Sequence, residues 1–384
     1  MEQLIYRDRR GTNSLKWDYP ARQFSRPDLL PLWVADMDFA APECVREVLR
    51  RQAEFGVFGY PTSAEAYFEA FLAWEQDRHG FAVRREWLRY SPGVVAGFYW
   101  FVHLLTQPGD AVLIQPPVYY PFKNAVKDTG RRLVTNELVN AGGVYTIDFD
   151  DFERKITDEQ VRAFILCSPH NPVGRVWTQA ELEQMLSICR DHGVFVIADE
   201  IHQDFVFPGH THIPAASIGG YDDILVTLTA PSKTFNLAGL KTSVAMIPNP
   251  DIRKKFDDFA GRIRMTDGPL SGMAAAAAAY TGGRDWLEAV LDTVWSNYRC
   301  LQETLAQRRP EVIVSPLEGT YLAWLDLSAR VRPEKLTDLV EGRCGLAVDY
   351  GRWFGGDSAV HIRINLATRR ENVQKAADRL AEAL

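Results

Sequence analysis

Lys233 stands in the run Thr229-Ala-Pro-Ser-Lys-Thr-Phe-Asn-Leu-Ala-Gly-Leu-Lys241, directly behind the apolar, β-branched run Ile224-Leu-Val-Thr-Leu228. A buried strand of that length ends just before the lysine, and open α/β sheets take their ligands at strand ends. An ammonium partly withdrawn from water gives up its proton more readily, so a lysine in this place can act as an amine nucleophile toward an aldehyde. A solvated surface charge is the commoner use of such a lysine. The weight of the reading therefore rests on what the other strand ends supply.

They supply four further groups. After Val194-Phe-Val-Ile-Ala198 comes Asp199-Glu-Ile-His202, a carboxylate that serves either as a structural acceptor or as the partner of a cofactor cation. After Ala163-Phe-Ile-Leu-Cys167 comes Ser168-Pro-His-Asn-Pro-Val-Gly174, a turn in which Pro169 and Pro172 fix the direction of Asn171. After Ala111-Val-Leu-Ile114 comes Gln115-Pro-Pro-Val-Tyr-Tyr-Pro121, which offers an aromatic face to a planar ligand. Between Trp87-Leu-Arg-Tyr90 and the helical stretch Phe98–Leu105, the run Ser91-Pro-Gly-Val-Val-Ala-Gly97 is a glycine turn into a helix, whose free N–H groups suit a phosphate. Each feature alone has a bland reading as a turn or a cap. Together they describe a pocket for a planar, phosphorylated, cationic aldehyde, which is pyridoxal 5'-phosphate.

The elements that must position these groups are legible as periodicity. From Leu88 to about Pro248, short continuous apolar runs, the last being Thr242–Met246, alternate with helical stretches. Continuous apolarity means that both faces are covered, as in a mostly parallel sheet between helix layers. Helices are expected over Pro42–Phe55, with Val45, Val48 and Leu49 at helical spacing, and over Ala64–His79, stopped by Gly80. Gly56–Ser63 breaks the two apart, and Gln179–His192 opens on Thr178 with Glu181 as its capping-box partner. Ala274–Ala279 reads as a closely packed small-residue helix and Asp285–Gln307 as a long one leaving the sheet, followed by strands near Thr320–Leu325 and His361–Asn365. The first segment, through Leu32-Trp-Val-Ala-Asp-Met-Asp-Phe39, has little periodicity and reads as an arm packing on another domain or subunit. The fold class is α/β, with a large cofactor domain over 48–284 and a smaller α+β domain formed by 1–47 and 285–384.

Composition excludes other classes. The 384 residues carry a net charge of -7 with no lysine- or arginine-rich stripe, which argues against a nucleic-acid partner. Five cysteines without a CxxC pair or a metal-ligand spacing read as reduced thiols. No apolar stretch approaches a membrane span, and the charged start Met1–Arg10 lacks a signal-peptide core, so a soluble cytoplasmic protein with no membrane contact is expected.

With these residues in view, the whole chain resembles fold-type-I pyridoxal-phosphate enzymes of the class I/II aminotransferase superfamily. Trp33-Val-Ala-Asp-Met-Asp-Phe39, Asp199-Glu-Ile-His-Gln-Asp204, Ala230-Pro-Ser-Lys-Thr-Phe-Asn236 and Glu318-Gly-Thr-Tyr-Leu-Ala-Trp324 are similar to the MalY/PatB branch of cystathionine β-lyases, or C–S lyases. The resemblance implies that Lys233 carries the cofactor, Asp199 pairs with its ring nitrogen, Asn171 and His202 face its 3'-oxygen, and Tyr119 stacks on the ring. It implies that Val94 and Val95 offer phosphate amides, that Ser232 and Lys241 add side-chain ligands, and that Tyr60 reaches the phosphate of a second subunit in a homodimer. Arg363, in His361-Ile-Arg-Ile-Asn365, is then the two-pronged reader of the substrate α-carboxylate, with Asn171 beside it. Two positions depart from the pattern: Ala230 stands where many relatives have serine, so that one phosphate bond is either absent or moved to Thr229 or Ser232, and Lys241 replaces a common arginine. The implied activity is β-elimination from an S-substituted cysteine, with a place in methionine biosynthesis. Transamination and a regulatory contact with a transcription regulator are the alternatives.

Overall fold

The structure, a computed structural model, describes residues 3–61 and 64–384. Met1 and Glu2 of the charged start, and Thr62 and Ser63 at the end of the expected break, lie outside the described residues. At the centre is a seven-stranded sheet: β1 Leu88–Ser91, β2 Ala111–Ile114, β3 Arg132–Thr135, β4 Val161–Cys167, β5 Phe195–Asp199, β6 Leu225–Thr229 and β7 Ser243–Met246. Their order across the sheet is β1-β7-β6-β5-β4-β2-β3, and β7 alone runs opposite to the other six. The parallel strands therefore all finish at one edge. Successive residues of each strand enter opposite layers. Ile165, Ile197 and Val226 pack with Phe98 and Phe101 on one face, while Phe164, Val196 and Leu225 join the larger core on the other. This double burial is why the strands read as continuous apolar runs.

The expected strands lie within two residues of the observed ones. In this sheet only β3 was not expected: Arg132 is exposed and Leu133 and Thr135 are half-buried, which marks it as the sheet's edge and weakens its apolar signature. The helix expected over Phe98–Leu105 starts earlier, at Val94, because Gly93 makes the turn in one step at φ 135°, a conformation that favours glycine. The helices Glu43–Phe55 and Glu65–His79 close on Gly56 and Gly80 in the left-handed conformation. Thr178 and Glu181 form the expected capping box on Gln179–Asp191.

After the helix Leu270–Gly282, the 25-residue helix Arg284–Arg308 packs against the last helix, Arg370–Ala383. Between them is a four-stranded antiparallel sheet of β8 Ile313–Val314, β9 Leu322–Asp326, β10 Asp349–Tyr350 and β11 His361–Asn365, ordered β8-β9-β11-β10.

The N-terminal arm crosses from this second sheet to the end of β6. Its Lys16 is fully buried between Asp38 at 3.2 Å and Asp36 at 3.8 Å. Every backbone carbonyl from Trp33 to Met37 accepts a side-chain hydrogen bond: from Arg363, from Asn365, from Lys233 and Tyr321 together, from Asn365 again, and from Asn236.

Candidate active site

The parallel edge of the large sheet opens into a cavity of about 390 Å³. Asp199, the last residue of β5, lines it, and its Oδ1 accepts the Ile201 N–H at 3.1 Å. Burial pushes this carboxyl up to about 7, although the Ile201 N–H and the nearby Lys233 both favour the ionised form. Lys233 sits one turn past β6, in the short helix Pro231–Thr234, and its Nζ donates to the Ala35 carbonyl at 2.6 Å. Burial draws its ammonium down to about 8, against the pull of Asp36 and Asp199 and with a push from Arg363. A lysine this close to neutrality can be nucleophile and base in turn, and a carboxylate of raised pKa beside it can hold a cationic group.

Around this pair the wall changes character. On one side Gly93, Val94, Val95 and Ala96 open a helix with no side-chain cap. Its first turn of N–H groups precedes the Gly97 N–H bond to the Gly93 carbonyl and has no intrahelical acceptor. Ser232 and Lys241 line the same cavity, and with the free N–H groups they suit an anion. Tyr119 gives the cavity an aromatic wall, and burial raises its hydroxyl far above the ordinary tyrosine range. His202 is buried with Nδ1 unpartnered, and burial aided by Lys233 and Arg363 keeps the imidazole neutral.

Arg363 lies behind Asn171. Its Nη1 donates to Asn171 Oδ1 at 2.8 Å, which leaves the Asn171 amide nitrogen available to the cavity that this residue lines. Nη2 forms an ion pair with the buried Asp349 and reaches the Trp33 carbonyl at 3.4 Å, while Nε has no partner. The guanidinium also stands 4.9 Å from the Phe354 ring centroid.

The structure thus brings Lys233, Asp199, Asn171, His202, Tyr119, Val94, Val95, Ser232 and Lys241 to one cavity, with Arg363 immediately behind. Tyr60 is fully exposed and away from it, in a shallow surface depression with Phe58 and Pro269. Of the two candidates for the missing serine's role, Thr229 is buried and donates to the Glu200 carbonyl at 3.2 Å, whereas Ser232 lines the cavity. Phe235 turns away into the rings of Trp74, Tyr280 and Trp286. Sequence reasoning missed the Ala35 carbonyl and Asp349. An aspartate inside the apolar run Leu346-Ala-Val-Asp-Tyr350 was the available sign of the latter. Among the described residues no cluster of side chains could hold a metal ion, and no helix is long and apolar enough to cross a membrane.

The profile of the family described as aminotransferase class I and II matches residues 27–380. The chain is 39% identical to cystathionine beta-lyase PatB of Bacillus subtilis, over 98% of both chains. It is 32% identical to protein MalY of Escherichia coli, over 98% of this chain and 97% of the other. The PLP-bound C-S lyase of Staphylococcus hominis superposes with a TM-score of 0.93 at 33% identity, covering 99% of this chain and 97% of that one. This likeness extends to the fold, which is that of fold-type-I enzymes.

Asp199 gives a test that needs no substrate. Its folded value of about 7 lies above the ordinary 3.8, so between those pH values the folded state holds a proton that the unfolded state has lost. The stability this contributes is complete below pH 3.8 and is lost as pH rises through about 7. In the ligand-free protein, Asp199→Asn should therefore be more stable than wild type at pH 8, by about 1–3 kcal/mol, with the advantage fading toward pH 4. Urea unfolding at the two pH values checks both the sign and the trend.

Proposed function

The chain belongs to the aminotransferase class I and II family, and on that premise we propose that it is a pyridoxal-5'-phosphate-dependent carbon–sulfur β-lyase. Its substrates are L-cystathionine or related S-substituted cysteines, and its products a thiol, pyruvate and ammonia. One observation carries the reading: a lysine drawn to about 8 and a carboxyl raised to about 7 line one cavity that ends in an uncapped helix N-terminus. Relatives named cystathionine β-lyase and C–S lyase favour elimination over transfer.

The residues fit the cofactor. The uncapped first turn with Ser232 and Lys241 suits its phosphate, Asp199 its ring nitrogen, and the Asn171 amide and His202 its ring oxygen, with Tyr119 against the ring. When bound, the group supplies an electrophilic aldehyde and a ring that accepts the electron pair left at Cα. Lys233, drawn toward neutrality, would hold the aldehyde through its Nζ and would serve as the base that takes the substrate's Cα proton. Asp199 would pair with a protonated ring nitrogen, and Arg363 and Asn171 would orient the α-carboxylate so that the thiolate can leave from Cβ. The aminoacrylate released hydrolyses to pyruvate and ammonia. Homocysteine as the thiol would place the reaction in methionine biosynthesis, and free, largely buried cysteines suit a reducing cytoplasm.

We also read the enzyme as a homodimer with shared sites. Phe55, Val57, Phe58 and Tyr60 expose consecutive apolar surface, which a second copy would cover while bringing Tyr60 to its phosphate.

Incubation with L-cystathionine should release pyruvate, homocysteine and ammonia in equal amounts. Amino transfer to an oxo acid without pyruvate would overturn the lyase reading.

Arg363→Lys should lower kcat/KM for every α-amino acid tested by about ten- to hundredfold, the scale of one charge-assisted hydrogen bond of about 1.5–3 kcal/mol. A loss confined to cystathionine would assign Arg363 to the far end of the substrate.

Mixing Tyr60→Phe chains with Lys233→Ala chains should yield heterodimers with one intact site and more activity than either parent. Activity no better than the parents' would mean self-contained subunits.

A further inference from the structure

Asp349 enters neither the proposed chemistry nor the cofactor's grip, yet it holds the residue that reads the substrate carboxylate. It faces Arg363 directly across the β10–β11 pair, both side chains are almost wholly buried, and the two form an ion pair. Asp349 is fixed in place. Its strand is antiparallel to β11, and at the following turn a Cβ on Gly351 would collide with the Ser358 carbonyl, so the two backbone stretches are packed directly on one another there. The segment beyond packs on the tyrosine side of the cavity: Val118 N–H bonds to the Phe354 carbonyl at 3.0 Å, and the Tyr120 ring stands 5.9 Å from that of Phe354.

The donors of Arg363 can then be apportioned. A guanidinium has five N–H groups. Asn171 takes one on Nη1, Asp349 takes one on Nη2, the Trp33 carbonyl lies at the edge of Nη2, and Nε is unpartnered. The remaining donors accommodate one incoming carboxylate and not two. The charges agree with the donors. Arg363 and Asp349 cancel, an amino acid brings its own ammonium with its α-carboxylate, and a second carboxylate on the side chain would find no counter-charge left on this pair. Tyr120, beside the cavity-lining Tyr119, feels both charges: its hydroxyl is raised first by burial and next by Asp349, while Arg363 pulls it the other way.

We propose that Asp349 is a specificity-determining residue, whose fixed negative charge on Arg363 admits amino acids with a neutral, zwitterionic or cationic side-chain end and rejects those with a side-chain carboxylate alone. This rests on the reading of Arg363 as the α-carboxylate reader. Cystathionine, whose far end is a zwitterion, is admitted. S-carboxyalkyl cysteines and the acidic amino acids are disfavoured.

The test uses the holoenzyme with S-(2-aminoethyl)-L-cysteine and S-(carboxymethyl)-L-cysteine, which differ in the charge of the far end at similar length. Two quantities are read: kcat/KM from pyruvate release, and Kd from the absorbance change of the bound cofactor. Wild type should favour the aminoethyl compound by about tenfold or more. Asp349→Asn should bring the ratio close to unity, and Asp349→Glu should keep it. Asp349→Ser is the second neutral variant if the asparagine protein does not accumulate in soluble form. A wild type with no preference overturns the proposal, as does a neutral variant that weakens both compounds equally, since Asp349 would then only steady Arg363. Failure to release pyruvate from either compound, with the Kd ratio as expected, would defeat the lyase reading and leave this one standing.

Discussion

The hydrogen bond from Lys233 Nζ to the Ala35 carbonyl joins the reactive amine to a backbone group 198 residues earlier in the chain, and the site is built around that join. An amine withdrawn from water loses its proton readily only if burial is not undone by a strong anion, yet it still requires an acceptor for its N–H groups. A neutral carbonyl meets both conditions. Asp36, the next residue, would be a much stronger partner, but it is engaged by Arg9 at 2.7 Å and stands near Lys16. The arm thus presents a carbonyl to the lysine and directs its carboxylates toward its own cations.

The sheet makes this economical. Because all the strands but β7 run one way, five chain segments that end in polar residues are delivered to the same edge, where side chains leave the packed layers and meet solvent. The two cores on either side anchor those ends by alternate residues, so the direction in which Asp199 points depends on which layer Ile197 occupies.

That part of the design was legible in the sequence, since a strand buried on both faces writes itself as an uninterrupted apolar run, and the residues directly behind the run necessarily stand at the sheet's end. Lys233, Asp199 and Asn171 were found in this way. Arg363 came through resemblance alone, for a buried arginine in β11 has no local sign of its purpose. Asp349 was hidden for a different reason. Its partner, 14 positions further along the chain, is fixed by strand register, and no periodicity reports register between strands of two and five residues. The edge strand β3 escaped because exposure removes the apolar pattern that marked the others. The role assigned to Tyr60 depends on a second copy of the chain, which one chain's contacts cannot supply.

The arm is read through its main chain. From Trp33 to Met37 each carbonyl is taken by a side chain from elsewhere, so recognition depends on where the backbone passes rather than on what it carries. At Val34 and Ala35, evolution is then free to exchange one side chain for another of similar size, while proline alters the backbone path and is excluded. A single-residue insertion or deletion is far more damaging, because it shifts all of these acceptors out of phase at once. Drift in this segment is therefore constrained in length before it is constrained in letter.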